Sequence, residues 1–326
     1  DFINYSASIF FVNKKKIKQK TIIKGGNFII GRLYRYITLI LGLKPNEHEY
    51  KVMGLAPYCK KEYFKPIENI FKSFQDVKKF KFKDKKKPKD LYFDIKKKLD
   101  GFRFDAIAGA LQSYTEYLIC KWIKSMVKKF KIKKICYAGG VAMNVKANLN
   151  ITNLYRNIDL FVPPSPDDSS QAMGACYGYY LTKNKNLNKL KPLSNAYLGP
   201  SNKLDERHIK KINLLKTKKK YKIIYKNINT EAAKQLATNK VLGRFCGKAE
   251  FGARSLGNRS ILASPLNNSI KIKINENVKN RDFWMPFAAS IPEKNAKKYF
   301  YIKSQIENYN YMTNCLNTTK LGKKKT

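Results

Sequence analysis

In the stretch KAEFGARSLGNRSILASP, residues 248 to 265, Arg254 and Arg259 stand five residues apart among Asn258, Ser260 and two glycines. The chain carries 58 Lys against 9 Arg, so arginine here is a selective use of cation. A guanidinium is a flat fork that grips a carboxylate or phosphate with two parallel hydrogen bonds, whereas an ammonium is a mobile point charge. The glycines permit close backbone approach, and Asn258 and Ser260 add neutral donors and acceptors. Lys279 and Arg281 follow in NVKNRDFW. Together these six residues could hold a phosphate or carbamate and neutralise charge developing on it. On residue types alone, a glycine-containing turn with surface ion pairs is equally open.

Two further clusters carry chemistry. In AGGVAMN, Gly139 and Gly140 precede a helical pattern, where backbone N–H groups and the helix dipole favour an anion; a tight strand-to-helix turn explains the same pair. Asp167 and Asp168 follow PPSP and could bind a divalent cation through carboxylate oxygens or cap the next helix. The two histidines, His48 and His208, share no motif with them.

These clusters need elements to position them. YSASIFFV and KQKTIIK read as the arms of a β-hairpin, and FIIGRLYRYITLILGL has helical periodicity ending at Gly42. EYKVMGLAPY, 49 to 58, reads as a small-residue loop closed by Pro57, and the lysine-dense residues 75 to 100 as a surface excursion. A helix is expected over 105 to 129. KICYAGG and DLFVPPSPDD then read as short buried strands, each leading through its loop into a helix, which implies an α/β sheet with ligands at the carboxyl ends of its strands. Residues 183 to 203 lose periodicity and gain Asn, Pro, Gly and Ser, so a linker is expected there between a domain over 1 to 182 and a second α/β unit over 204 to 326.

A length of 326 residues with 43% hydrophobic and 13% aromatic content supports folded protein throughout. The net charge of +44 would ordinarily point to nucleic acid, but the lysine runs are spread over the whole length, where a nucleic-acid reader concentrates charge and uses arginine and stacking aromatics. The six cysteines form no CxxC pair, consistent with a reducing cytoplasm and with neither a zinc knuckle nor a disulfide framework. No apolar run reaches the roughly 18 residues of a membrane span.

Read in order, EYKVMGLAPY, AGGVAMN, VPPSPDD, NAYLGPS, EFGARSLGNRSIL and NVKNRDFWMPFAASI resemble the carbamoyltransferase family of the NodU/CmcH/TobZ type. The resemblance implies an actin/hexokinase-like (ASKHA) domain followed by a YrdC-like domain. It also implies a two-step O-carbamoyl transfer. Carbamoyl phosphate and ATP give carbamoyl adenylate, and the carbamoyl group then passes to a hydroxyl of a small molecule such as a sugar or natural product. Carried over residue by residue, Arg254, Asn258, Arg259, Ser260, Lys279 and Arg281 form the oxyanion pocket. Glu49, Lys51, Gly54, Gly139, Gly140, Val141 and Asn144 match nucleotide-facing segments, and Asp168 matches a ligand of a bound Fe2+, with Mg2+ a further candidate ion.

The chain departs from the family pattern GRMEFGPRALGNRSIL at Lys248, Ala253 and Ser255, and from RPFAPS at Met285 and Ala289. Losing arginine at 248 and 285 removes two forked donors, which bears on efficiency or substrate fit. The family's paired histidine ligands and first nucleotide strand are expected before residue 1 and the tail of the second domain after Thr326, so the chain is expected to be an inactive piece of a longer protein. Two other readings are weighed: a threonylcarbamoyladenosine-type tRNA-modification enzyme, built from the same two domain types but usually as separate proteins, and a non-catalytic basic nucleic-acid-binding protein, supported by charge alone.

Overall fold

The computed structural model describes residues 5–12, 17–24, 30–154, 158–184, 186, 190–201, 205–217, 222–224, 226–303 and 305–325. Strands β1 (Tyr5–Val12) and β2 (Ile17–Lys24) pair antiparallel as the alternation implied. In α1 (Ile30–Ile40) the residues Ile30, Leu33, Tyr34 and Ile37 fall on one face and are buried. The chain leaves the helix through Gly42 at φ +73°, a conformation glycine adopts without steric cost.

The segment expected as a loop is instead α2 (Glu49–Leu55), continued by a 3₁₀ turn over Ala56–Tyr58. Pro57 sits in the first turn of that 3₁₀ segment, where its missing N–H is no loss, so it does not forbid helix. Val52 and Ala56 are buried. Then come α3 (Lys61–Lys72), the antiparallel hairpin β3 (Gln75–Lys78) and β4 (Lys81–Asp84), and α4 (Leu91–Leu99). Residues 75 to 100 are therefore no surface excursion: Val77, Phe82, Ile95 and Leu99 join the main core, while the lysines between them stay outside.

The core is organised by α5 (Phe104–Phe130), 27 residues long, which buries Ile107, Leu111, Tyr114, Leu118, Ile119 and Ile123 among others. Small residues at 106, 108, 109 and 110 let neighbours approach. A Cβ at Gly109 would stand 2.8 Å from a Phe64 ring carbon and 3.5 Å from the Ala56 carbonyl oxygen, so only glycine permits α3 and the 3₁₀ turn to pack this closely.

Beyond α5, β5 (Lys134–Cys136) and β6 (Asp159–Phe161) pair in parallel around α6 (Val145–Leu154), and α7 (Gln171–Asn184) follows. The parallel α/β unit is as expected, but β5 is not a buried strand: Cys136 is exposed and Ile135 only half-buried, because β5 has a partner on one edge alone among the described residues. The second half comprises α8 (Glu206–Thr217), α9 (Ile228–Ala237), the antiparallel pair β7 (Leu242–Phe245) and β8 (Arg259–Leu262), α10 (Asn268–Lys273) with one π-helical turn over Ile274–Val278, α11 (Glu293–Tyr299) and α12 (Lys320–Lys325). The fold is mixed α/β with four two-stranded sheets among the described residues.

The halves are joined by specific polar contacts. Asn148 Nδ2 donates to the Thr313 carbonyl at 2.7 Å, Thr313 Oγ1 to the Val162 carbonyl at 3.0 Å and Asn308 Nδ2 to Asp159 Oδ1 at 2.7 Å. The late segment 305–319 thus closes over α6 and β6. Within 183 to 203, the described residues 190–201 carry backbone pairing: Phe251 N–H donates to the Ala196 carbonyl and Gly199 N–H to the Ala249 carbonyl, at 2.7 and 3.0 Å.

Candidate functional site

The parallel pair β5–β6 sets two loops side by side. Gly139, at φ +109°, donates its N–H to the Pro166 carbonyl at 2.6 Å, so the glycine loop and the Pro-Asp loop meet at the carboxyl ends of adjacent strands, where such sheets bind ligands. A third loop joins them. A Cβ at Gly252 would lie 2.9 Å from the Pro164 carbonyl oxygen and 3.3 Å from Ser165 Cβ, and Gly252 has φ +108°. Segment 163–168 therefore touches both 139–144, which shortly precedes it in the chain, and 251–257, which lies far beyond it in the sequence.

The members of the arginine cluster have different fates. Arg259 is committed to its own loop: Nη1 donates to the carbonyls of Cys246 (2.6 Å) and Asn258 (3.1 Å), Nη2 to that of Gly247 (3.2 Å), and the guanidinium stacks 3.6 Å from the Phe245 ring centre. Asn258 Nδ2 donates to the Lys248 carbonyl at 2.8 Å, and Ser260 Oγ accepts from Gly257 N–H at 3.0 Å. Arg254 is the contrast. Burial presses its guanidinium toward the uncharged form, and it makes no hydrogen bond or ion pair with any described residue. A guanidinium remains ionised in protein, so Arg254 is a half-buried cation with no anion against it among the described residues.

Glu250, not singled out from the sequence, holds this loop in shape. Its Oε1 accepts from the N–H groups of Leu256 (2.8 Å), Asn258 (2.7 Å) and Arg259 (3.0 Å). Burial works to raise the Glu250 carboxyl, but these backbone donors outweigh it and hold the group below its ordinary value. The cradle of N–H groups that glycines make available to an anion is thus filled internally. The signal was present in the sequence: one acidic residue inside a glycine-arginine loop of a chain with 67 basic and 23 acidic side chains.

A second grouping forms around α2. Lys51 Nζ pairs with Asp282 Oδ2 at 2.9 Å, both side chains being mostly buried, and Trp284 Nε1 donates to the Lys51 carbonyl at 3.1 Å. A Cβ at Gly54 would meet Met285 Sδ at 3.5 Å. EYKVMGLA and NVKNRDFWM therefore make one locus, with Lys51 and Gly54 from one side and Arg281 from the other. Arg281 Nε donates to Asn275 Oδ1 at 2.7 Å and Nη2 to the Pro286 carbonyl at 3.3 Å, and its guanidinium lies 4.7 Å from the Phe287 ring centre. Burial presses this guanidinium down as well, with Tyr50 opposing. Met285, where the family pattern has arginine, is buried at 5% exposure and packs apolar surface against Gly54. Lys279 is exposed.

Other candidates are placed apart. Asn144 is buried at 7%: Nδ2 donates to Gln112 Oε1 (2.9 Å) and Tyr34 Oη (3.2 Å), and Oδ1 accepts from Ala147 N–H and Gln112 Nε2, both at 3.0 Å. It fixes the end of the glycine loop from below, while Gly140 is exposed and Val141 half-buried. Glu49 Oε1 accepts from Asn46 N–H at 2.7 Å. Asp167 caps the turn before α7 by accepting from Ser169 N–H and Ser165 Oγ, leaving Asp168 exposed with one long contact, 3.3 Å, from Gln171 Nε2. No group of three His, Cys, Asp or Glu able to hold a metal forms among the described residues. An iron or magnesium ion at Asp168 would need its other ligands from elsewhere. No hydrogen bond or ion pair joins 251–257 to 279–285 among the described residues.

The carbamoyltransferase N-terminus model matches residues 4–177 and the carbamoyltransferase C-terminus model residues 233–326. The chain belongs to the carbamoyltransferase family. An uncharacterised protein of Methanocaldococcus jannaschii is 32% identical over 293 residues, covering 86% of this chain and 46% of that protein. A second protein of that organism is 33% identical over 305 residues, covering 89% and 56%. Nodulation protein NolO of Bradyrhizobium diazoefficiens is 31% identical over 262 residues, covering 77% and 46%. The chain spans about half the length of the curated relatives it matches. The Lys51–Asp282 pair bridges the two matched segments, so this carbamoyltransferase chain has its N-terminal and C-terminal family regions in direct contact. Among the described residues no helix is long and apolar enough to cross a membrane.

Proposed function

We propose that the chain carries the central part of an ATP-dependent O-carbamoyltransferase, with an actin/hexokinase-like region over 1–182 and a YrdC-like region over 204–326, working on a hydroxylated small molecule. The observation that carries this reading is Arg254: a half-buried guanidinium, without a partner among the described residues, in a glycine loop set against the strand-end loop 163–168. Carbamoyl phosphate, carbamate and ATP are all oxyanions, and a preorganised cation in a dry site stabilises charge on them without reorganisation. Arg281, half-buried and with no carboxylate partner among the described residues, supports the same reading.

In the proposed chemistry, carbamoyl phosphate is hydrolysed to carbamate and phosphate. A carbamate oxygen then attacks the α-phosphorus of ATP, the Pα–O bond to pyrophosphate breaks, and pyrophosphate leaves with the electron pair. The acceptor hydroxyl next attacks the carbamoyl carbon and gives up its proton, and AMP departs. Arg254, Arg281 and Lys279 would neutralise the phosphoryl and carbamoyl oxygens. Gly139, Gly140 and Val141, held from below by Asn144, would offer the nucleotide a backbone surface. Lys51 and Glu49 would frame the opening between the regions.

The test is isotope exchange in the full-length gene product, following labelled pyrophosphate into ATP without acceptor. Exchange that requires carbamoyl phosphate and drops about a hundredfold or more in Arg254→Ala is expected from loss of one transition-state donor. A folded, full-length protein that shows no carbamoyl-phosphate-dependent exchange would refute adenylation.

A further inference from the structure

We infer that Asn275 is the positioning residue that fixes the Arg281 guanidinium; its consequence for ligand binding rests on the reading of Arg281 as an oxyanion residue. Asn275 is fully buried and lies in the π-helical turn Ile274–Val278, a rare local winding that recurs at functional sites. Every polar group of its side chain faces the loop that carries Arg281. Nδ2 donates to the Phe283 carbonyl at 3.2 Å and the Met285 carbonyl at 3.1 Å, while Oδ1 accepts from Arg281 Nε at 2.7 Å. Its main chain repeats the grip, since Arg281 N–H donates to the Asn275 carbonyl at 2.9 Å.

The amide is suited to the task. It offers two donors and one acceptor in one plane, which matches two carbonyls and one Nε–H. A carboxylate would supply the acceptor but face the two carbonyls with negative charge, and an aliphatic residue would leave all three groups buried and unpaired. Because Nε–H and one Nη2 hydrogen are directed inward, toward Asn275 and the Pro286 carbonyl, the remaining Nη hydrogens form the outward-facing edge of the fork. Phe287 beneath the guanidinium limits tilt. Asn275 touches no ligand in this scheme and acts through Arg281.

The test uses the full-length protein labelled with ¹⁵N-arginine, the Arg281 Nε–Hε resonance being assigned by its loss in Arg281→Lys. Slow exchange of that proton with water is expected in the parent protein, faster by about tenfold or more in Asn275→Leu and still slow in Asn275→Asp, where an oxygen continues to accept. Calorimetric titration with carbamoyl phosphate should show affinity about tenfold weaker in Asn275→Leu and no further loss when Asn275→Leu is added to Arg281→Ala. Unchanged Arg281 exchange in Asn275→Leu overturns the inference, whatever the affinity does. Should the leucine variant not fold, fast exchange in Asn275→Asp overturns it equally. If exchange responds as expected while Arg281→Ala binds carbamoyl phosphate like the parent, the grip on Arg281 stands and the oxyanion reading of that residue fails.

Discussion

The region around α5 and the region beyond residue 240 are ordered by different physics. Around α5 the order comes from apolar burial: Phe71, Phe74, Leu111, Tyr114, Leu118 and Ile119 are at or near zero exposure in one continuous cluster. Among the described residues beyond 240, only Ile270, Ile274, Met285 and Ala296 are buried hydrophobics, and shape is imposed by polar side chains that bind backbone: Glu250 on three N–H groups, Arg259 on three carbonyls, Asn275 on two carbonyls and Arg281. A helical core tolerates surface variation and fails when volume is removed. A loop built on polar struts fails when a single donor or acceptor is removed, and charge is its natural currency.

The contrast is sharpest in stability. Phe71→Ala deletes a fully buried ring that stacks with Tyr114 at 6.0 Å, and should cost about 3–5 kcal/mol, read from the denaturant midpoint of the full-length protein. Gly252→Ala adds a methyl at φ +108° and 2.9 Å from the Pro164 carbonyl. It should cost about 1–3 kcal/mol and should depress pyrophosphate exchange more than it depresses stability, because it separates the Arg254 loop from the strand-end loops. Equal loss of exchange and of folded fraction would mean that the loop contact is merely structural.

How much of this was legible follows the same line. Hydrophobic periodicity disclosed α1, α5 and the β5–α6–β6 unit, because burial on one face writes itself into spacing. It missed α2, whose short run with a glycine and a following proline looks like a loop until α5 supplies a partner for Val52 and Ala56. It also misread 75 to 100, where lysine density hid four core residues. At the site, residue types identified the arginine loop but not the division of labour within it. Arg254 and Arg259 are equivalent in sequence, and only the carbonyls of Cys246 and Gly247, brought round by the β7–β8 pair, commit one of them to structure. Glu250, Asn275 and Asp282 gave no periodic signal, since a residue that organises a loop answers to geometry formed by distant segments.

A smaller effect is expected where the two regions meet. The Lys51–Asp282 pair is partly screened by solvent, so a double-mutant cycle with Lys51→Met and Asp282→Asn should return a coupling of about 1 kcal/mol. A coupling near zero would leave Trp284 and Met285 to hold the contact by packing.

The smallest effect separates the regions by pH. Glu250 has a folded value lowered from its ordinary 4.5, so the stability it contributes is fully present above that value and is lost as pH falls through the depressed folded value. In the α5 region Arg103 holds the Asp105 carboxyl low, and Lys121 holds Asp76 low against its burial, but among the described residues neither gathers three backbone N–H groups as Glu250 does. Acidification from pH 6 toward pH 3 should therefore speed amide exchange at Leu256, Asn258 and Arg259 before it affects amides within α5, and Glu250→Gln should flatten that response while exposing the same amides at neutral pH. Simultaneous loss of protection in both regions would mean that the loop is held by the packing beneath it, and that the polar struts follow the fold instead of making it.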